Sequence, residues 1–295
     1  MQARLIAYPP DAAAVPRWLA PGDRLRIGRT PECDLVIDDP SISRVHAELA
    51  FDDGAWQLRD LGSKNGCFVD GMATRGQMLP LNCWLRLGDV HCEFAQYDRV
   101  QADAMRSREQ NRRARSAILT QQVAAAPRFE SLLDDVLQGV LELSGCTRGF
   151  LLLAQAGDYL VRASAGTEAA ALGRAEFTGS VGAVERTLAQ RRPVVVNQVE
   201  NEPWLSSRAS VIDGGLRTLV CLPLLDRDKV LGAVYADRRG HGEPITEVDL
   251  ELLLAFAETA TLWLLAGRAI DSIDGAPRWS TLVRDRAQAV PGGGT

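Results

Sequence analysis

Histidine is scarce in this 295-residue chain, which has three, and its six cysteines, Cys33, Cys67, Cys83, Cys92, Cys146 and Cys221, stand apart. No CxxC pair occurs, and neither His91, beside Cys92, nor His241, in a glycine-flanked turn, has a ligand partner at useful spacing. A zinc site and a disulfide framework are therefore not expected, and a reducing compartment fits best. Long apolar runs are also missing. The opening MQARLIAYPPDAAAVP holds only a brief apolar run broken by prolines, and the longest stretch, near LLLAFAETATLWLLAG, is bounded and interrupted by Glu251 and Glu258. Neither a signal-peptide core nor a membrane span is expected, so the sequence reads as a cytoplasmic protein without membrane contact. There is no excess of positive charge either: 33 Lys and Arg against 38 Asp and Glu give a net charge of -5, which argues against a globally electrostatic nucleic-acid binder.

What is present divides by the period of its apolar residues. Up to about Tyr97, short alternating runs (RLRIGR, DLVID, AELAFDD, AWQLRD, CFVDG, WLRLG, HCEFAQY) are separated by Gly, Pro, Asp and Ser clusters, the pattern of an all-β sandwich over residues 1–98. Residues 99–126 contain no turn residue and predict a polar helix, either a solvated bridge or half of a partner seam. Its basic run, residues 106–116, has no interleaved aromatics and reads as a solvated face rather than a nucleic-acid contact. From residue 127 to 268 the pattern is α+β. An amphipathic helix carries Phe129, Leu132, Leu133, Val136, Leu137, Val140 and Leu141, strands and a short helix follow, and a last helix starts at Thr246, where Asp249 completes a capping box. Residues 269–295 show no sustained pattern and read as a flexible tail.

Three turns of the β-rich part collect hydrogen-bonding residues: Gly28 and Arg29 end one strand, SISRVH carries Ser43, Arg44 and His46, and DLGSKNG carries Ser63, Lys64, Asn65 and Gly66. Arginine, lysine and hydroxyl side chains are the types that hold a tetrahedral dianion, and glycine lets backbone amides approach it. Taken singly, such residues are ordinary solvated turn residues. Taken together, GR, then SxxH, then NG, the chain over about residues 3–97 resembles the forkhead-associated (FHA) domain. The resemblance implies an eleven-stranded sandwich that binds phosphothreonine peptides at one end. It implies that Arg29, Ser43 and Arg44 contact phosphate and that Ser63 stands beside it. Lys64 joins the binding turn, Asn65 bonds the peptide main chain, and Gly28, His46 and Gly66 support the site, with His46 bracing the loop that presents Ser43. Cys67 and Asp70 depart from the family's frequent threonine and second asparagine, beyond the binding turn.

The second part resembles a GAF domain over residues 129–266, carried by FTGSVGAVERTLAQRRPVVVNQVENEPW, LRTLVCLPLLDRDKVLGAVYADRRG and ITEVDLELLLAFAETAT. That resemblance implies that the first and last helices pack on one face of a sheet and join in a dimer, while the other face cups a small-molecule ligand. Cys146 and Cys221 have no neighbouring histidine and read as packing residues. The whole is expected to be a non-enzymatic homodimeric signalling adaptor with no cofactor. Its expected partner is a threonine-phosphorylated protein in a Ser/Thr kinase pathway. The alternatives are a small-molecule sensor that the FHA part only tethers and, more distantly, a thiol-dependent reductase.

Overall fold

The computed structural model describes residues 1–124, 129–155, 157–166, 180–197 and 216–267, in two compact units, Met1–Gln110 and Asn111–Thr295. The first unit is a sandwich of eleven strands: β1 (Gln2–Tyr8), β2 (Val15–Leu19), β3 (Arg24–Gly28), β4 (Leu35–Val36), β5 (Ala47–Asp52), β6 (Ala55–Asp60), β7 (Cys67–Val69), β8 (Met72–Thr74), β9 (Gly76–Met78), β10 (Asn82–Leu87) and β11 (Val90–Tyr97). One sheet runs β2-β1-β11-β10-β7-β8 and the other β4-β3-β5-β6-β9. Alternation drives the pairing: in β3, Leu25 and Ile27 are buried while Arg24 and Arg26 are exposed, so one face of each sheet meets the other. Trp56 fills the middle of the core with Phe94 and Phe51 edge-on to it, and a side chain of this size contributes about 1.5–3 kcal/mol when buried. The β5–β6 hairpin turns on Asp53 and Gly54, both at positive φ, which pins Asp52 opposite Ala55 and sets the register of the whole β5–β6 pair.

β1, β2, β8 and β9 have no counterpart among the strands the sequence pattern marks. The reason is plain for β1, where five consecutive residues, Ala3 to Ala7, are buried. Both of its faces are covered, so no alternation survives. Arg4 lies over the Trp18 ring and pairs with Glu109, and Arg106 also lies over Trp18.

The second unit is a five-stranded antiparallel sheet in the order β13-β12-β16-β15-β14, built from β12 (Arg148–Gln155), β13 (Asp158–Ala165), β14 (Val194–Val196), β15 (Thr218–Asp226) and β16 (Lys229–Arg238). Its helices are α2 (Phe129–Ser144), α3 (Val181–Gln190) and α4 (Glu247–Gly267). On one face Phe150, Leu152, Cys221, Ala233 and Tyr235 pack with Ala183 and Val184 of α3. The opposite face takes α2 and α4: Leu141 of α2 approaches Gly149, and α4 buries Leu253, Phe256, Ala257, Ala260 and Leu264 at helical spacing. The capping box at the start of α4 is formed, with Thr246 donating from N–H and Oγ to Asp249 Oδ2 at 2.9 and 2.7 Å and Asp249 N–H returning to Thr246 Oγ at 3.3 Å.

α1 (Arg99–Ala124) is polar in composition but not evenly solvated. It buries or half-buries one stripe, Ala102, Arg106, Glu109, Arg112, Ser116, Leu119 and Val123. Within the first unit, Arg106 and Glu109 serve Trp18 and Arg4; within the second, Arg112 pairs with Asp249 at 3.5 Å and Arg115 with Glu142. The basic run read from sequence as a solvated face is thus in part a set of packing arginines, a distinction that composition alone does not carry. The reading of residues 269–295 as a tail lies outside the described residues.

A buried polar chain locks α3 to the second sheet. Tyr235 Oη donates to Asp237 Oδ2 at 2.7 Å and accepts the Ser180 N–H at 2.9 Å, Ser180 Oγ caps the Ala183 N–H at 3.1 Å, and Arg148 forks onto Asp237. Tyr235→Phe leaves the Ser180 amide without its partner and takes one of two donors from Asp237 Oδ2, which keeps Arg148, a loss of about 1–3 kcal/mol. Hydrogen exchange of the full chain should therefore speed up at the Ser180 and Ala183 amides, and unchanged rates there would refute the lock.

Candidate functional site

Three loops leave one end of the β4-β3-β5-β6-β9 sheet together. Ile27 at the end of β3 pairs with Ala47 at the start of β5, and Ala47 pairs with Asp60 at the end of β6. Residues 29–34, 37–46 and 61–66 consequently converge, and between them lies a cleft of about 940 Å³. The first loop lines it with Arg29, Thr30 and Glu32, the second with Pro40 to Val45, and the third with Gly62, Lys64 and Asn65.

The loops are tied by backbone and by one imidazole. Arg29 N–H donates to Ser43 O at 3.0 Å, and Thr30 donates from both N–H and Oγ to Arg44 O, at 3.3 and 3.1 Å. This approach needs glycine at position 28: a Cβ there would overlap the Arg44 carbonyl oxygen and lie 2.6 Å from Cys33 Sγ. His46 is fully buried. Its Nδ1 accepts the Ser43 N–H at 3.0 Å and its Nε2 stands 3.1 Å from Gly66 O, so the ring is neutral with its proton on Nε2. Ser43 Oγ accepts the Lys64 N–H at 3.0 Å, which leaves the hydroxyl proton to be donated elsewhere. Asn65 Nδ2 gives one hydrogen to Ser41 O at 2.7 Å while the residue still lines the cleft.

Of the residues singled out from sequence, Arg29, Ser43, Arg44, Lys64 and Asn65 line one cleft. Ser63 does not. Its hydroxyl donates to Asp60 Oδ2 at 3.1 Å and accepts the Gly66 N–H at 3.0 Å, and its own N–H goes to Asp60 Oδ1 at 2.7 Å. The expected place beside a phosphate is corrected on this point: Ser63 closes the turn from inside, and Lys64 is the residue presented. The signal was available in Asp60 three positions ahead, an acceptor that captures a following serine. Thr30, Glu32 and Ser41 were missed. Ser41 is buried, donating to Asp39 Oδ1 and accepting the Asp89 N–H at 2.9 Å, and nothing in its spacing marks that role.

Electrostatically the cleft is an anion site. Arg29, Arg44 and Lys64 are exposed, and among the described residues none of their side chains has a carboxylate partner. Glu32 is the one carboxylate among the described lining residues, its carboxyl held below the ordinary value chiefly by the polar Thr30 side chain. Both nitrogens of His46, the ring bonded to the Ser43 amide, are committed to backbone groups. The cationic set offers charge-assisted hydrogen bonds of the kind that a dianion accepts.

Comparison with known proteins agrees with this geometry. The model of the FHA domain matches residues 25–90, and that of the GAF domain matches residues 128–262. The chain carries an FHA domain followed by a GAF domain. Its FHA part is similar to the oxoglutarate dehydrogenase inhibitor of Corynebacterium efficiens, at 33% identity over 85 residues, which make up 29% of this chain and 58% of that protein. The chain thus spans a little over half the length of that curated relative. Among solved structures, the FHA domain of CT664 from Chlamydia trachomatis is similar at 29% identity and a TM-score of 0.31, covering 33% of this chain and all of that one. The GAF domain of a phosphoenolpyruvate-protein phosphotransferase from Coxiella burnetii is similar at 17% identity and a TM-score of 0.45, over 54% of this chain and 96% of that one.

In the GAF domain, burial pushes the Cys146 thiol up to about 11 and the Cys221 thiol up to about 12, which keeps both protonated and poorly nucleophilic at neutral pH. Among the described residues no group of His, Cys, Asp or Glu could hold a metal ion, and no helix is long and apolar enough to cross a membrane.

Burial lowers the His46 imidazole from its ordinary 6.5, against smaller opposing effects of the Gly66 carbonyl and the Asp60 charge. A folded-state value below the unfolded one means that the stability the neutral ring contributes is present above about pH 6.5 and is lost as pH falls through the folded value. NMR should find His46 still neutral and protonated on Nε2 at pH 6.5, with FHA-domain stability declining below that pH; a ring half-protonated at 6.5 would contradict the bridge.

Proposed function

We propose that this protein is a non-enzymatic signalling adaptor that docks, through the FHA cleft, on a threonine-phosphorylated protein produced by a Ser/Thr kinase. The observation that carries the reading is the convergence of Arg29 and Arg44, without carboxylate partners among the described residues, on a cleft where the Ser43 hydroxyl is held with its proton free to donate. A phosphate dianion satisfies such a set by bridging guanidinium and hydroxyl donors at once. The name of the Corynebacterium relative, an inhibitor of another protein, fits an FHA domain that works by binding. With Arg29 and Arg44 at the cleft and the partner's phosphate as their shared counterion, Arg29→Ala removes a charge-assisted fork and costs on the order of 2 kcal/mol or more. Calorimetry on the full chain should show binding of a phosphothreonine peptide, weaker binding by the Arg29→Ala variant, and none of the unphosphorylated peptide; equal binding of the two peptides would overturn the reading.

In the same proposal the GAF domain joins two copies of the chain in the cytoplasm. α4 exposes Leu262 by 68% and Trp263 by 42%, beside a buried Leu264 and a half-buried Leu265, and adjacent exposed apolar groups of this size favour a partner surface. Two clefts on one dimer raise avidity for a doubly phosphorylated or dimeric partner. Light scattering should return twice the chain mass for the full protein at micromolar concentration, falling toward a single mass in Leu262→Asp/Trp263→Asp. A wild-type monomer would rule out the dimer.

A further inference from the structure

The strand order that gathers the three loops also divides the cleft electrically. β3 and β6 lie on opposite edges of β5, so the loops that follow them, 29–34 and 61–66, adjoin from opposite sides the segment Ser43 to His46 that leads into β5. Lys64 is the charged residue lining one flank, and the other flank holds Glu32 together with Arg29. Lys64 gives the fold only its backbone: its N–H serves Ser43 Oγ, and the ammonium has no carboxylate partner among the described residues. Glu32 is exposed at the opposite rim with its carboxyl held below the ordinary value, so it is an anion at neutral pH. Arg29 and Arg44 suffice for the two negative charges of a phosphate, with the Ser43 hydroxyl between the flanks as a neutral donor. That leaves Lys64 and Glu32, of opposite sign and on opposite sides, facing whatever flanks the phosphate.

On the reading of the cleft as a phosphothreonine site, we propose that Lys64 and Glu32 make it select a charge-asymmetric peptide. Such a peptide has an acidic group on the side of the phosphothreonine that meets Lys64 and a basic side chain on the side that meets Glu32. A peptide of the reverse polarity places like charges together on both flanks, and like-charge juxtaposition suppresses wrong partners as effectively as attraction favours right ones. The acidic group can be an Asp or Glu side chain or a second phosphorylated residue. All of these share the chemistry that an unpaired ammonium recognises, although a phosphate brings nearly twice the charge.

The test compares, on the full chain, two phosphothreonine peptides of identical composition, one with acidic residues before and basic residues after the phosphothreonine, the other reversed. One polarity should bind more tightly by on the order of tenfold at low salt, with the ratio shrinking as ionic strength rises. In the double variant Lys64→Glu/Glu32→Lys the preference should invert, with circular dichroism confirming an unchanged fold. A third peptide, with a second phosphothreonine in place of the acidic residue of the favoured one, identifies the source: tighter binding points to a doubly phosphorylated partner, and equal binding to a carboxylate. Phosphate-dependent binding that is indifferent to polarity, or a preference that survives the charge swap, overturns this inference and leaves the phosphothreonine reading standing. Failure of every phosphorylated peptide overturns both.

Discussion

The candidate site depends on one buried imidazole. His46 holds the amide of Ser43 with one nitrogen and the carbonyl of Gly66 with the other, and so fixes two loops that belong to different strands. Neither group could be left unpaired in the interior without a penalty of about 1–3 kcal/mol, and water has no access to a fully buried ring. The neutral tautomer is what makes the bridge possible, because a charged ring would donate from both nitrogens and lose the Ser43 amide. Once Ser43 is placed, the rest follows by contact. Its carbonyl takes the Arg29 amide, its hydroxyl takes the Lys64 amide, and the cations on either side are brought within reach of one ligand.

The same commitments decide which groups are left for a ligand. Both nitrogens of His46, the ring beside Ser43, are already used in holding backbone, and Cys146 and Cys221 of the GAF domain are buried and protonated. What remains available is positive charge and hydroxyl protons at a rim open to solvent. Such a surface raises the local concentration of an anionic partner and orients it.

Burial elsewhere is decided by neighbours more than by composition. α1 has the charge pattern of a solvated helix, yet its buried and half-buried stripe includes arginines, because a guanidinium can sit over Trp18 or pair with Asp249 while its stem covers apolar surface. In the GAF sheet, Tyr235 and Asp237 are polar residues at core positions, and they are stable there because Arg148 and the Ser180 amide complete their hydrogen bonds.

Much of this was legible in the sequence. Alternation gave the inner strands of the sandwich, helical spacing gave α2, the Thr246 and Asp249 pair marked the start of α4, and the spacing of Gly28, Ser43, His46 and Asn65 pointed to one family of loops. These features are local, and local patterns are written in one dimension. What the sequence did not disclose depends on contacts between distant segments. β1 was hidden because both its faces are covered. Ser63 was misplaced because its hydroxyl answers to Asp60 and Gly66 rather than to the cleft, and Glu32 was overlooked because only the order β3-β5-β6 sets it across from Lys64. The residue types of the site were determined by the chain itself. Which side chains face one another across it was decided by the tertiary structure, because the end of a strand has neighbours that its sequence does not name.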